Sequence, residues 1–488
     1  MTKTLVITPP FLESFRPPIS GALICSIAAS AGHDVTAWDF NIRLFKEAGR
    51  DRFYDMTLQF NDLKDVKTED QQLVNDMMSG YDFEGYDYIL ISIFSDYTIR
   101  CTKLLLEHLR RKGVKAKIVL GGPGVELNRD VTVGKKFGES MLAEGLCDHY
   151  VVGEGEIALL GIFKGNFSYP GIDGSLPEQI DDIDGLPFPD YDYYDMSDYS
   201  YLDPSMPDLF IYGSRGCVRK CTFCDVVHYW PKFRYRSGKS IASELIANWE
   251  KYGVKSFFFT DSLINGSLKA FRELHETLAR TPGLPKLNIG GFAIIRPKNQ
   301  HPAELFDMMA NNGYHSWSVG VEHGSDAMRE AMKKKFTNDD IDWHLEQSER
   351  IGLRNHWLLM PTYIDEKLEH HQEYLDSFQR WKRYVASGTI ASSTIAPMLM
   401  VLGNTPLSTE YQGMEYIDPN NDQLRTLLWM SRDNPELDLR ERFRRAAAIY
   451  QAAIDNRWPI SEAQHKLLTM ESMIKRLKNM GLFKKSST

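Results

Sequence analysis

Short apolar runs rich in β-branched and aromatic residues alternate along this chain with stretches whose apolar positions recur at helical spacing. Over residues 1–165 the runs Leu5–Thr8, Asp34–Phe40, Tyr86–Ile93, Lys117–Leu120 and His149–Val152 predict strands. Pro17-Pro18 opens a helix through Ser30, with Ile19, Leu23, Ile24 and Ile27 at helical spacing, and Gly32 stops it. A further helix is predicted over Thr98–Arg111, ended by Gly113. Such alternation predicts a parallel sheet covered by helices, whose ligands bind at the carboxyl ends of the strands. The turns Gly121-Gly122-Pro123 and Gly153-Glu154-Gly155 follow the fourth and fifth strands, where a backbone can approach a ligand closely.

Residues 166–205 read as a linker punctuated by Pro and Gly, with an aromatic-acidic stretch over Asp190–Asp203. Residues 206–400 alternate again. Strands are predicted at Leu209–Tyr212, Val254–Thr260, Leu287–Ile295, Ser316–Val321, His356–Met360 and Ile390–Met400. Helices are predicted over Ser240–Tyr252, with Ser240 as N-cap, over Leu268–Arg280 and Ala303–Asn311, from Asp326, and over Leu368–Val385. This is most of a (β/α) barrel, a fold whose chemistry sits at the carboxyl ends of its strands. Residues 401–488 read as a helical region, with amphipathic stretches at Leu437–Asn456 and Ile460–Asn479. The fold class is therefore α/β.

Composition narrows the classes. The length of 488 residues corresponds to about three domains, and 43% hydrophobic residues suffice for full cores. No apolar run approaches the roughly 18 residues of a membrane span. The first residues read as a strand and lack a signal-peptide pattern. Few cysteines lie outside one loop, which fits a reducing cytosol, so a cytoplasmic location is expected. The net charge of −9 argues against a general nucleic-acid binder. The basic run Lys475–Lys485 reads as a solvated helix end.

Three of the six cysteines, Cys217, Cys221 and Cys224, stand as C-x3-C-x2-C after the first barrel strand. That spacing arises by chance in roughly one chain in a thousand of this length and cysteine content. Three thiolates can hold three irons of a four-iron, four-sulfur cluster and leave the fourth open, as catalytic zinc sites keep an open position. A zinc site completed by Asp225 or His228 is the alternative reading of the same loop.

The loop, with Phe223 before its last cysteine, resembles the signature of the radical S-adenosylmethionine (radical SAM) enzymes. The resemblance implies a partial, six-unit barrel and a 4Fe-4S cluster on Cys217, Cys221 and Cys224. It also implies S-adenosylmethionine chelated to the open iron and cleaved reductively to a 5′-deoxyadenosyl radical. Phe223 belongs to this cofactor site. Thr260-Asp261-Ser262 ends the second strand, where the family often has an acid near the SAM amino group. Gly320-Val-Glu-His-Gly-Ser325 ends the fourth strand and resembles a family run in which Glu322 accepts from the ribose hydroxyls or the amine. Arg296, at the end of the third strand, offers a bidentate clamp for a carboxylate. Met360-Pro-Thr-Tyr-Ile-Asp-Glu366 departs from the family's Gly-x-Pro-Gly-Glu-Thr turn; Pro361 and Glu366 remain but the glycines do not. His228, Tyr229, Trp230 and His323 lie within reach of a substrate by position, although each reads individually as a packing residue.

Residues 1–165 resemble the Rossmann-like cobalamin-binding domain that precedes many radical SAM barrels. Matching pieces are Pro9-Pro10, Pro17-Pro18-Ile-Ser-Gly-Ala22, Ala31-Gly-His-Asp-Val35, Gly121-Gly-Pro123 and Val152-Gly-Glu-Gly-Glu156. The resemblance implies cobalamin at Gly121, Gly122, Pro123, Gly153, Glu154 and Gly155. The Asp-x-His-x-x-Gly motif of many cobalamin proteins is absent; His33, His108 and His149 have other neighbours. The expected function is a cobalamin-dependent radical SAM enzyme that methylates or rearranges a small molecule or peptide, with a flavodoxin or ferredoxin as electron donor. Two other readings stand beside it. One is a methylthiotransferase with a second cluster on Cys25, Cys101 and Cys147; the other is a non-catalytic cofactor-binding protein.

Overall fold

The computed structural model describes residues 1–12, 16–61, 66–127, 135–199, 208–396, 398–416 and 428–460. The proposed helix beyond residue 460, the basic run Lys475–Lys485 and residues 200–203 of the aromatic-acidic stretch lie outside the described residues. The chain divides into two units. The first comprises Met1–Ile211 with Asn248–Ser256, and the second Tyr212–Ala247 with Phe257–Thr488.

The first unit is built on five strands, β1 (Lys3–Thr8), β2 (Asp34–Asp39), β3 (Tyr88–Ser92), β4 (Lys117–Gly121) and β5 (His149–Tyr150), in the order β2-β1-β3-β4-β5. Every neighbouring pair is parallel. Helices α1 (Ile19–Ser30), α2 (Phe40–Ala48), α3 (Arg50–Asn61), α4 (Thr68–Ser79), α5 (Asp96–Arg111), α6 (Phe137–Ala143) and α7 (Gly155–Phe163) cover it. Leu5, Val6, Ile7, Ile89, Ile91, Ile118 and Leu120 are fully or almost fully buried, as strands covered on both faces require. Helix α1 packs on α7, whereas α5 packs on α3 and α4. Right-handed crossovers from this strand order put α1 and α5 on opposite faces. The described part of the aromatic-acidic stretch packs within the unit. Tyr199 donates to the half-buried Asp39 carboxylate at 2.7 Å, and a Cβ on Gly21 would stand 2.2 Å from the Tyr194 hydroxyl.

The second sheet runs β13-β12-β11-β10-β9-β6, with β6 (Asp208–Ile211) and β13 (Ile390–Ile395) at its edges. Between β6 and the next barrel strand lie the short ribbon β7 (Ser214–Arg215) with β8 (Arg234–Tyr235), the turn of helix α8 (Val226–Tyr229) and α9 (Gly238–Tyr252). Then follow β9 (Ser256–Phe259), α10 (Leu268–Arg280), β10 (Asn288–Ala293), α11 (Ala303–Asn312), β11 (Tyr314–Glu322), α12 (Asp326–Ala331), α13 (Asn338–Ile351), β12 (Arg354–Leu359), α14 (Leu368–Arg380) and α15 (Lys382–Ala386). Strands in sequential order with helices between them make an open six-strand β/α barrel. A helix over Leu439–Asp455, capped by Asp438, follows an antiparallel pair of short strands, Met414–Tyr416 with Trp429–Ser431.

Three local expectations are corrected. Helix α9 begins two residues before Ser240; Ser237 lies just before it, its hydroxyl accepting from the Ser240 N–H at 3.1 Å, while Ser240 contacts Arg236. The helix expected over Leu368–Val385 breaks at Trp381, a buried indole that donates to Asp342 at 2.7 Å. The helix from Asp326 stops at Ala331, and α13 restarts behind Thr337, whose hydroxyl accepts from Asp340 N–H while the Asp340 carboxylate accepts from Thr337 N–H.

Candidate functional site

The cysteine loop leaves β6 at the carboxyl edge of the barrel sheet and is clamped at its base. Asp261, two residues past β9, is buried and uses both carboxylate oxygens on the loop. Oδ2 accepts from Gly213 N–H at 2.8 Å and Oδ1 from the Ser214 hydroxyl. Burial pushes this carboxyl up to about 6 against those hydrogen bonds. Arg236 donates to Tyr212 O at 3.0 Å and pairs with the buried Glu244. The ribbon β7–β8 closes the stem. Gly216 has φ +82°, and a Cβ there would stand 2.7 Å from Lys232 O, so only glycine lets the loop lie against that backbone. Further along, Thr222 donates through N–H to Met332 O (3.2 Å) and accepts at its carbonyl from Leu407 N–H (2.7 Å), and its hydroxyl meets that of Tyr363 at 2.6 Å.

Within this frame Cys221 is buried, and Cys217 and Cys224 are half-buried. Burial pushes all three thiols up, Cys224 to about 11. A bound cation has to supply the charge that makes them thiolates. Among the described residues no three His, Cys, Asp or Glu side chains gather closely enough to hold a single metal ion. The loop therefore does not preassemble the tetrahedron of the zinc alternative. An all-thiol donor set suits an iron–sulfur cluster, which spreads its ligands over separate irons.

The other barrel residues are placed as follows. Phe223 packs against the apolar cluster of Met328, Met332, Met360 and Tyr363. Arg296 donates to Asn265 O at 3.0 and 2.8 Å, to Gly266 O at 2.7 Å and to Gln300 at 2.9 Å, so its fork holds the turn after β9. Burial, and then the nearby Arg219 charge, lower it to about 10. Glu322 closes β11 with φ +65°, where the register against β12 shifts, and accepts from the buried Lys334 ammonium at 3.0 Å. A Cβ on Gly320 would stand 2.3 Å from Glu322 Oε1, which gives the first glycine of the Gly-x-Glu-x-Gly-Ser run its reason.

His323 is fully buried. Its Nδ1 accepts from Ser325 N–H at 3.0 Å, so Nε2 carries the proton and donates to Glu366 at 3.1 Å. Glu366 is a buried hub, with Arg445 at 3.0 Å and His371 at 3.3 Å on its other oxygen. Burial opposes its charge, but the hydrogen bond from His323 and the neighbouring His371 hold the carboxyl down at about 2. Glu366, at the end of the departed turn, thus ties β11, α14 and the helix Leu439–Asp455 together. His228 is exposed on α8; Tyr229, Trp230 and Asp225 are half-buried.

The carboxyl edge of the first unit has a different character. Gly122 (φ +89°) and Gly124 would place a Cβ 2.5 Å from Ile93 O and 2.2 Å from Ile93 Cγ2, so they let the turn after β4 lie against the loop after β3. Gly153 (φ +77°) lies against Pro177, and Glu154 accepts from Ile180 N–H at 2.7 Å. Gly121 meets nothing within 4 Å of a built Cβ, and Gly155 meets only Val151, at 3.8 Å. Phe94, 63% exposed, and Tyr97 follow β3 at the point where the strand order reverses, the usual ligand crevice of such sheets. The three histidines of this unit sit at the opposite edge. His33 precedes β2, His149 begins β5, and His108 is in the last turn of α5. Cys25 on α1 and Cys101 on α5 are buried on opposite faces of the sheet, and burial pushes both thiols up.

Sequence reasoning missed Lys334 and Phe94. A lysine in Lys333-Lys-Lys335 reads as solvated, and one exposed phenylalanine is common on any surface. The only hint was position, after a strand or after the Gly-x-Glu-x-Gly-Ser run.

Residues 211–378 match the family model of the radical SAM superfamily, so the chain carries a radical SAM domain. A cytidylyl-2-hydroxyethylphosphonate methyltransferase of Streptomyces wedmorensis is 28% identical over 210 residues, 41% of this chain and 38% of that protein. An anaerobic magnesium-protoporphyrin IX monomethyl ester cyclase of Synechocystis sp. is 30% identical over 215 residues, 41% of this chain and 42% of that protein. These matches span about two fifths of either relative. Among solved structures, the cobalamin-dependent radical SAM enzyme OxsB superposes with a TM-score of 0.65 at 15% identity, covering 99% of this chain and 75% of that one. The radical SAM methyltransferase TsrM from Kitasatospora setae, bound to tryptophan and a SAM analogue, gives 0.64 at 14% identity, covering 93% and 89%. At these identities the likeness is one of fold. Among the described residues no helix is long and apolar enough to cross a membrane.

Proposed function

We propose that the chain is a cobalamin-dependent radical SAM enzyme of the cytoplasm that methylates a small molecule or peptide. Radical rearrangement or ring closure is the other outcome of the same chemistry. The observation that carries the reading is the C-x3-C-x2-C loop, clamped by Asp261 and Arg236 at the carboxyl edge of an open β/α barrel. A methyltransferase among the partial relatives supports transfer over ring closure, and a cyclase among them keeps the second outcome in view.

The cluster, when bound, supplies the electron for reductive cleavage of S-adenosylmethionine. Cys217, Cys221 and Cys224 hold it; Asp261 keeps the loop's stem in register; Phe223 fixes the last cysteine against the apolar core. Glu322 is the acceptor we assign to the cofactor's hydroxyls or amine, and Arg296 shapes the neighbouring turn. Cobalamin, when bound, supplies the methyl carrier. Gly121 and Gly155 leave the room it needs, Gly122, Pro123, Gly153 and Glu154 shape the two turns, and Phe94 offers an apolar face. Every histidine of the first unit lies at the far edge, so none of them would be placed to hold the cofactor's metal. A flavodoxin or ferredoxin is the proposed electron donor. The methylthiotransferase reading needs Cys25 and Cys101 on one cluster, and a β-sheet separates them.

Anaerobic reconstitution tests this. About four irons per chain, 5′-deoxyadenosine on reduction with SAM, and a cob(II)alamin spectrum from bound cobalamin are expected. About eight irons would favour the methylthiotransferase, and a reduced cluster that yields no 5′-deoxyadenosine would revive the non-catalytic reading. SAM cleavage in protein that takes up no cobalamin would remove the cobalamin assignment.

A further inference from the structure

Lys334 lies in the short connection between α12 and α13, and its ammonium is buried in a place where a lysine is costly. Its neighbours in sequence, Lys333 and Lys335, point to solvent, and both have left-handed backbone, φ +60° and +57°. Glu322, its partner at 3.0 Å, is also left-handed at φ +65°. Three of the five non-glycine residues with positive φ among the described residues therefore converge on one ion pair. Strained backbone of this kind persists only where the surroundings impose it, and it collects at functional sites. Gly320 is part of the same arrangement, since a Cβ there would stand 2.8 Å from Lys334 Nζ.

What the ammonium faces sets its role. It lies 5.9 Å over the Phe223 ring, beside the last cysteine of the loop. Met332, two residues earlier, accepts from Thr222 N–H, which joins this connection to the cysteine loop. Burial works to lower the Lys334 ammonium, but the Glu322 carboxylate beside it outweighs burial and holds it above its ordinary value. A cluster on three thiolates carries net negative charge and gains one more on reduction, so a fixed cation beside it favours the reduced form.

We propose that Lys334 is the countercharge of the cysteine loop. Its ammonium holds the Glu322 carboxylate in position and makes the cluster easier to reduce. This rests on the reading of the loop as a cluster site, and Lys334 acts as a positioning residue through charge.

The test is a redox titration of the anaerobically reconstituted full chain, followed by the reduced-cluster EPR signal with no SAM added. Lys334→Met is expected to disfavour the reduced cluster at least about tenfold at a fixed potential, equivalent to about 59 mV for one electron. Glu322→Gln shifts the midpoint the opposite way. The double variant returns toward the wild-type midpoint, because one neutral pair replaces another, and Lys334→Arg stays near it. If Lys334→Met fails to fold around the unpaired Glu322, Glu322→Gln and the double variant carry the test. A purely structural ion pair would lower thermal stability in the single variants and leave their midpoints unmoved, and that result overturns the proposal. Wild-type protein that binds no cluster would remove both the underlying reading and the proposal; a cluster with an unmoved midpoint removes the proposal alone.

Discussion

The carboxyl edges of the two parallel sheets are built from different materials. At the barrel edge, charged side chains are buried or half-buried and paired with one another or with backbone. Asp261 holds Gly213 and Ser214, Arg296 holds Asn265 and Gly266, Glu322 meets Lys334, and Glu366 gathers His323, His371 and Arg445. At the edge of the first unit, close backbone approach at Gly122 and Gly124 does the shaping, open glycines stand at Gly121 and Gly155, and Phe94 is exposed. The first kind of edge suits a small charged cofactor held by a thiolate-bound cluster. The second suits a large ligand that needs room and close backbone approach. Strand order alone assigns a ligand to both edges; side-chain chemistry separates the two ligands.

The comparison breaks most sharply at the cysteines. Cys221→Ser is expected to take iron from about four per chain to a small remainder and to abolish 5′-deoxyadenosine formation, measured by iron assay and product chromatography. Retained cleavage in that variant would dissolve the contrast between the edges.

The next largest effect is on stability. Glu366→Ala removes the carboxylate that His323, His371 and Arg445 share and leaves Arg445 with Glu441 alone; it is expected to cost about 1–3 kcal/mol, read from thermal or denaturant unfolding. The pH dependence follows from two groups. Burial lowers His323 below 6.5, so its neutral form contributes stability above the unfolded value, and that contribution is lost as pH falls below 6.5. Glu366 is held at about 2, so its contribution is present above the unfolded value of about 4.3 and is lost as pH falls from there toward about 2. Wild type should therefore lose stability in two stages on acidification, and Glu366→Gln should lack the lower one. A single stage shared by both proteins would contradict the hub.

Effects of similar or smaller size sharpen the first unit. Gly124→Ala drives a Cβ into Ile93 and is expected to cost about 1–3 kcal/mol. Gly121→Val meets open space, so unfolding should shift little while cobalamin affinity falls, measured by spectroscopic titration. If both substitutions change only stability, the edge of the first unit is structural. The smallest effect is expected at Cys101→Ala, which should leave the iron content unchanged.

Much of this was legible because it depends on local chemistry. The cysteine spacing, the strand-end positions of Asp261 and Glu322, and the glycine turns all follow from residue type and strand–helix alternation. What escaped was set by tertiary packing. The break at Trp381 comes from an indole recruited by Asp342, the early start of α9 from the Ser237 hydroxyl, and the burial of Lys334 from the strained turns around it. None of these has a periodic signal. Asp261 and Arg296 show a further limit, since position placed them at the edge but could not tell which atoms they hold.

The central claim is that one iron of the cluster is open to S-adenosylmethionine. The most direct measurement is the EPR spectrum of the reduced, reconstituted protein before and after SAM is added, with Cys221→Ser as the control. The account predicts a cluster signal whose shape changes on addition of SAM in the wild type. A reduced-cluster signal that SAM leaves unchanged would contradict it.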